Sequence, residues 1–207
     1  RLKDIILDLY RFSMSGPWPD KWLVNNAERF NIETIDDLNK TIWIDILKET
    51  IKIEVTGYIK MLEKAIGIIR DTEGLEPYEV TFLDDLDMFI RVEESLSLGI
   101  EELYSSINNI SFSRLKSVKK DKVSDEESLE IVKSIRDSIK KKTSKLIEDS
   151  FSMTVNDALN GIKNSYPYMK MISQLTLEFI NRFKEKKRER NILDFNDLEH
   201  LCLKILI

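Results

Sequence analysis

Asp194, Asp197 and Glu199 lie within six residues of one another, beside the chain's single histidine, His200, and its single cysteine, Cys202. Three carboxylates so close suggest a divalent-metal site, and Glu199 with His200 suggests an acid–base pair. The geometry of a helix start argues against both. Asp194 is placed to cap a terminal helix and Asp197 to sit near its third position, where carboxylates are favoured by unsatisfied amides and the positive end of the dipole. On such a helix the three acids point in different directions, and Mg²⁺ sites also draw on substrate phosphates. Adjacent helix residues do not face one another, which disposes of the Glu199–His200 pair. Phe195 is expected to pack inward as a local anchor, His200 to be structural, and Cys202 to be a small core residue. Asp84-Asp85-x-Asp87 invites a calcium reading but lacks the glycine and distal glutamate of an EF-hand loop. It falls inside an apolar helical period and reads as a solvated face. One cysteine excludes an internal disulfide and one histidine leaves no Cys/His cluster for zinc. No catalytic, cofactor-binding or metal residue is assigned.

The other chemically suggestive segment is basic: Ser111-Phe112-Ser113-Arg114-Leu115-Lys116-Ser117-Val118-Lys119-Lys120-Asp121-Lys122. Arg114, Lys116, Lys119, Lys120 and Lys122 can neutralise phosphates and the serines can donate to them, without reading sequence. The chain carries a net charge of −5, unevenly spread. Residues 1–110 hold 12 basic and 22 acidic side chains, whereas residues 111–145 hold 11 and 6. A local basic stripe on an acidic protein says more about nucleic acid than total charge does, because phosphate attraction fades within about 10 Å at 0.1 M salt. The competing account is a solvated, mobile arm. A second basic run, residues 184–190, fits DNA contact and a charged helix end kept in water equally well. Trp18, Trp22 and Trp43 have the chemistry to stack on bases. Their positions, one between two prolines and two on helical faces, read instead as core or joint anchors.

The elements that carry these residues read as helices nearly throughout. At 207 residues, 42% hydrophobic and 33% charged, the chain suffices for one sizeable core. No stretch has the roughly 18 apolar residues of a membrane span, and no signal-peptide pattern opens the chain, so a cytoplasmic protein is expected. The pattern predicts helices over residues 2–14, from a cap at Asp20 to 30, over 36–71, over 78–95, and a short one through Leu103 and Ile107. The longest is marked by Leu47, Ile51, Val55, Tyr58, Leu62, Ile66 and Ile69, spaced by three or four. Residues 110–123 lack a period and read as the longest loop. Ser124 and Glu127 have capping-box spacing ahead of a helix striped by Leu129, Val132, Ile135, Ile139 and Leu146. A short helix from Thr154 and a longer one with Pro167 in its first turn follow. The sum is an all-α, irregular bundle of about eight helices, treated as a single domain over 1–207.

Two segments add a family resemblance. Asp194-Phe195-Asn196-Asp197-Leu198-Glu199-His200 resembles the segment by which the first accessory (1B-like) domain of superfamily one, UvrD-like helicases returns to the ATPase motor, in the form carried by the AddA family of ATP-dependent helicase/nucleases. Leu9-Tyr10-Arg11-Phe12-Ser13-Met14-Ser15-Gly16-Pro17-Trp18-Pro19-Asp20-Lys21-Trp22-Leu23 resembles the same family's Phe-Ser-x-Ser helix end, proline turn and Lys-Trp-Leu helix. The resemblance implies a helical accessory domain, with residues 190–207 as the return segment, that touches DNA through its backbone. It implies for the intact parent an ATP- and Mg²⁺-dependent DNA helicase and exonuclease that works with an AddB-like partner in recombination repair. The motor's P-loop, Gly-x-x-x-x-Gly-Lys, does not occur among the 6 glycines. The chain begins at Arg1 and ends in an apolar run at Ile207, and is expected to be a piece lying between two motor segments. A free-standing helical scaffold or interaction module, binding through the acidic residues 33–102, is the alternative. A P-loop encoded upstream and an acidic helicase motif downstream distinguish the two.

Overall fold

The computed structural model describes residues 1–118 and 123–206, and all of their regular structure is helical. The described residues form α1 (Leu2–Met14), α2 (Pro19–Glu28), α3 (Ile35–Asn39), α4 (Ile42–Asp71), α5 (Glu76–Ser95), α6 (Ile100–Asn108), α7 (Glu126–Ser150), α8 (Val155–Glu189) and α9 (Phe195–Leu206). The expected all-α, multi-helix class is the one observed. Where the sequence reads as one domain over 1–207, the helices cluster into two compact units, residues 35–158 and residues 1–34 with 159–207.

The larger unit is built on α4. Ile51, Val55, Tyr58, Leu62 and Ile69 of the expected stripe are buried along it, against α5 and α7. A four-residue turn reverses the chain between α4 and α5, using Gly74 at φ 92°, a left-handed conformation that side chains with a Cβ rarely adopt. Phe82 and Phe89 of α5, Leu103 and Ile107 of α6, and Leu129, Val132 and Ile139 of α7 complete the core. The expected 36–71 helix is broken at Lys40–Thr41. There the Thr41 amide and hydroxyl both donate to the Leu38 carbonyl, at 3.0 and 2.7 Å, and close α3 with a tight turn. Asn39 at the end of α3 then accepts from the Ile100 amide at 2.8 Å, capping α6 from a distance of 61 residues.

Two helix starts differ from the sequence reading. Asp125, not Ser124, caps α7, accepting from the Glu127 amide at 3.0 Å and the Ser128 amide at 3.3 Å. A hydrogen bond from the Ser128 hydroxyl, and then the amide bonds, hold its carboxyl below the usual carboxylate range. Asp20 sits in the first turn of α2, whose cap position is Trp18 with Pro19 following.

The smaller unit packs α1 and α2 with the long C-terminal part of α8 and with α9. Tyr10 of α1 meets Phe179 and Phe183 of α8 edge-on, at 5.2 and 5.7 Å between ring centres. The two helices expected on either side of Pro167 are one, because α8 runs through the proline. Pro167 offers no N–H to the carbonyl four residues earlier, a defect that ordinarily ends a helix. Contacts from the preceding turn hold this stretch in place: Lys163 pairs with the Glu33 carboxylate at 2.9 Å, and the Tyr166 hydroxyl donates to Glu28 at 2.8 Å.

Leu62 is fully buried at the centre of α4, whereas a Cβ added to Gly67 of the same helix meets nothing within 4 Å. Leu62→Ala is therefore expected to lower unfolding stability by about 2–5 kcal/mol, and Gly67→Ala to raise it by about 0.5–1 kcal/mol. Urea denaturation followed by far-UV circular dichroism measures both. Equal effects of the two substitutions would contradict this account of α4.

Candidate nucleic-acid interface

The basic segment leaves the α5–α7 face at a buried ion pair that the sequence pattern does not announce. Asp85, expected on a solvated face, is 2% exposed, and Arg136 of α7 is 1% exposed. The guanidinium meets the carboxylate in a two-pronged arrangement, Nε to Oδ2 at 2.6 Å and Nη2 to Oδ1 at 3.2 Å. Nη2 also donates to the Ser113 carbonyl at 2.9 Å. Two aromatic rings pack on the guanidinium, with centres 5.9 Å away for Phe82 and 5.6 Å for Phe112. Phe112 in turn packs against Phe89, with Lys140 over its ring at 5.6 Å. At the far end of the segment the Ser124 amide donates to the Glu73 carbonyl at 3.0 Å, in the α4–α5 turn.

The segment is thus fastened at both ends. Phe112 and Ser113 fix where it leaves the bundle, and Ser124 fixes where it returns. Between them, Arg114 and Lys116 are exposed and carry no acidic partner among the described residues. Lys119, Lys120 and Lys122 lie outside the described residues. Cations so presented can meet a phosphate backbone.

The acids at the chain's end do something else. Asp194 and Asp197 form a reciprocal cap on α9: the Asp197 amide donates to Asp194 at 3.0 Å and the Asp194 amide to Asp197 at 3.1 Å. Lys187 closes the group, 2.9 Å from Asp194 and 2.6 Å from Asp197. It is buried, and so departs from the charged helix end kept in water that is one of the two equal accounts of residues 184–190. Asn191, at φ 52°, reverses the chain here. The Ile192 amide reaches the Lys187 carbonyl and the Asn191 amide that of Arg188, at 2.9 and 3.1 Å. The His200 Nε2 lies 3.1 Å from the Met14 carbonyl. Phe195 and Cys202 correct the reading: Phe195 is 85% exposed and Cys202 is exposed, because α9 buries none of its residues among those described. No group of three or more His, Cys, Asp or Glu side chains stands together among the described residues. None of their helices is long and apolar enough to cross a membrane.

Fold and interface together define an all-α, multi-helix chain carrying a cationic segment on a buried ionic anchor. No protein-family model matches it. It is similar over 205 residues, 99% of its length, to the AddA protein of the ATP-dependent helicase/nuclease from Clostridium beijerinckii, with 54% identity. The proteins of the same name from Clostridium botulinum and Clostridium perfringens (strain SM101) are 52% and 47% identical to it over its whole length. The resemblance seen at its two ends therefore extends through all of it: the chain is related to a segment of the AddA helicase/nucleases. It spans 16 to 17% of the length of those relatives.

Asp85→Ala strands the buried Arg136 charge and is expected to cost about 3–5 kcal/mol, whereas Asp85→Leu with Arg136→Met removes both charges and restores most of the loss. Urea midpoints of the three proteins decide it, and a double variant no more stable than Asp85→Ala would show the pair to be an ordinary packing site.

Burial works against the charge of Asp194, yet hydrogen bonds from Lys187 and the Asp197 amide hold its carboxyl below the usual carboxylate range. Burial opposes the Lys187 charge too, but bonds to Asp197 and Asp194 outweigh it and raise its pKa above the ordinary ammonium value. The Asp194 contribution is present above about pH 4 and is lost as pH falls through its folded value. That of Lys187 is present below about pH 10 and is lost as pH rises through its folded value. The stability deficit of Lys187→Met, read from urea midpoints, is accordingly expected to shrink as pH is lowered from about 7 to about 2. A constant deficit across that range contradicts the coupling.

Proposed function

We propose that this chain is a non-catalytic, DNA-contacting accessory region of an AddA-like helicase/nuclease, and that residues 111–122 make the contact. The observation that carries this reading is the basic segment itself, fastened by Arg136 at one end and Ser124 at the other on a protein otherwise rich in acids. The relatives' name, ATP-dependent helicase/nuclease, supports it, since both activities act on nucleic acid. Arg114, Lys116, Lys119, Lys120 and Lys122 neutralise backbone phosphates, and the acidic residues 1–110 keep the strand from lying elsewhere.

Within the intact parent, the proposed setting is ATP-dependent unwinding of broken duplex ends coupled to nuclease digestion, with an AddB-like partner, in DNA repair by recombination. In this reading ATP and Mg²⁺ bind outside the present residues. The sequence has no phosphate-cradling glycine loop, and the described residues bring no three carboxylates together. Both ligands are assigned to other parts of the parent. The exposed apolar side chains of Phe195, Leu198 and Ile205 on α9 support packing against such parts, as a segment returning to a motor requires.

Binding to labelled duplex is expected to be weak and indifferent to sequence. If all five cations release counterions, log K against log salt slopes by up to about −4.5, from roughly −0.9 per phosphate. Replacing the five by Ala flattens that slope without changing helix content, because none lies in an apolar stripe. Unchanged affinity and slope in the five-fold variant would reduce the segment to a solvated loop.

A further inference from the structure

A second place on this chain has the makeup of a nucleotide site. In the smaller unit, the turn between α1 and α2 and the corner between α8 and α9 enclose an open cavity of about 360 Å³. Trp18, 43% exposed, stands in its wall, held between Pro17 and Pro19, which limit the backbone that carries it. Lys21, Lys184, Arg188 and Lys204 also line it, and none of the four makes an ion pair among the described residues. The Lys21 ammonium already lies 5.4 Å from the indole centre. Lys187 and Asp197 reach the same cavity, and Lys187 is shared between Asp197 and Asp194, so that Asp20 and the one excess negative charge of that triad stand against four cations. Apolar contact is supplied by Met14 and Leu201.

We infer that this cavity binds one nucleotide of a single strand, its base stacked on Trp18 and its phosphates held by Lys184, Arg188 and Lys204. An indole face beside phosphate-binding cations is the combination by which proteins hold unpaired bases whatever their sequence. A base inside a duplex is covered on both faces by its neighbours, so interior duplex is excluded from the stack. The inference rests on the reading of the chain as DNA-contacting but on none of the residues of the basic segment. The two are therefore separable. The cavity explains why Trp18 is exposed and why four cations gather without ion-pair partners among the described residues, neither of which a joint anchor requires.

The test uses the 207-residue chain with Arg114, Lys116, Lys119, Lys120 and Lys122 changed to Ala, so that the other proposed contact is silent. An oligo-dT of about a dozen nucleotides is expected to quench tryptophan fluorescence saturably. Trp18→Ala should abolish most of that quenching and weaken binding about tenfold. Lys184→Gln with Arg188→Gln and Lys204→Gln should weaken it at least as much while the helix signal stays intact, since these side chains reach solvent. Free dTMP at equal nucleotide concentration should bind far more weakly than the strand. No quenching, quenching that survives Trp18→Ala, equal affinity for dTMP, or equal affinity for polyglutamate would each overturn the assignment. If the five-fold background instead binds duplex as tightly as the original chain, the basic-segment reading fails and the cavity is judged on oligo-dT alone.

Discussion

Arg136 lies buried inside the larger unit, where Asp85 and the Ser113 carbonyl meet its guanidinium. An unpaired guanidinium at that depth costs several kcal/mol, and the pair's own attraction little more than offsets its desolvation. The pair is therefore better understood as a positioning device than as a source of stability. It joins α5 to α7 and takes hold of the first residues of the basic segment, with Phe82 and Phe112 packed on the guanidinium. Everything the chain is proposed to do through Arg114 and Lys116 depends on that hold.

A different arrangement governs the smaller unit. Its polar centre, Lys187 between Asp194 and Asp197, lies at a chain reversal and caps α9 rather than anchoring a loop. By occupying both acids and Lys187, the triad leaves the neighbouring cations, Lys184 and Arg188, without acidic partners and open to a ligand. Here a structural ion pair shapes the charge of the cavity beside it. The same α9 exposes an apolar face.

The helical class, most helix positions and the buried stripe of α4 are legible from spacing alone, since a period of three and four leaves little choice. The α9 cap is legible too, because Asp194 and Asp197 have the types and spacing that a helix start favours. Asp85 is misread for an instructive reason. It stands three residues after Phe82 and four before Phe89, within the stripe, and Arg136 stands between Val132 and Ile139 in the same way. The period that buries those neighbours buries both charges, and position outweighs chemical type. Pro167 misleads in the opposite direction: contacts from Lys163 and Tyr166 to distant residues override a local helix breaker, and no local pattern reveals them. Phe195 is expected inward as a local anchor, although α9 has no buried residue among those described.

The central claim is that the ionic anchor presents the segment after Ser113 to a phosphate backbone. A photo-crosslinking side chain placed at Ser117, which is exposed and central to the segment, tests it most directly against labelled duplex. The account predicts crosslinks at low salt that vanish at high salt, and that fall sharply when Asp85→Leu and Arg136→Met release the anchor while the helices persist. Crosslinks at Ser117 no more frequent than from an exposed site on α4 such as Ile53, or unaffected by removing the anchor, would contradict it.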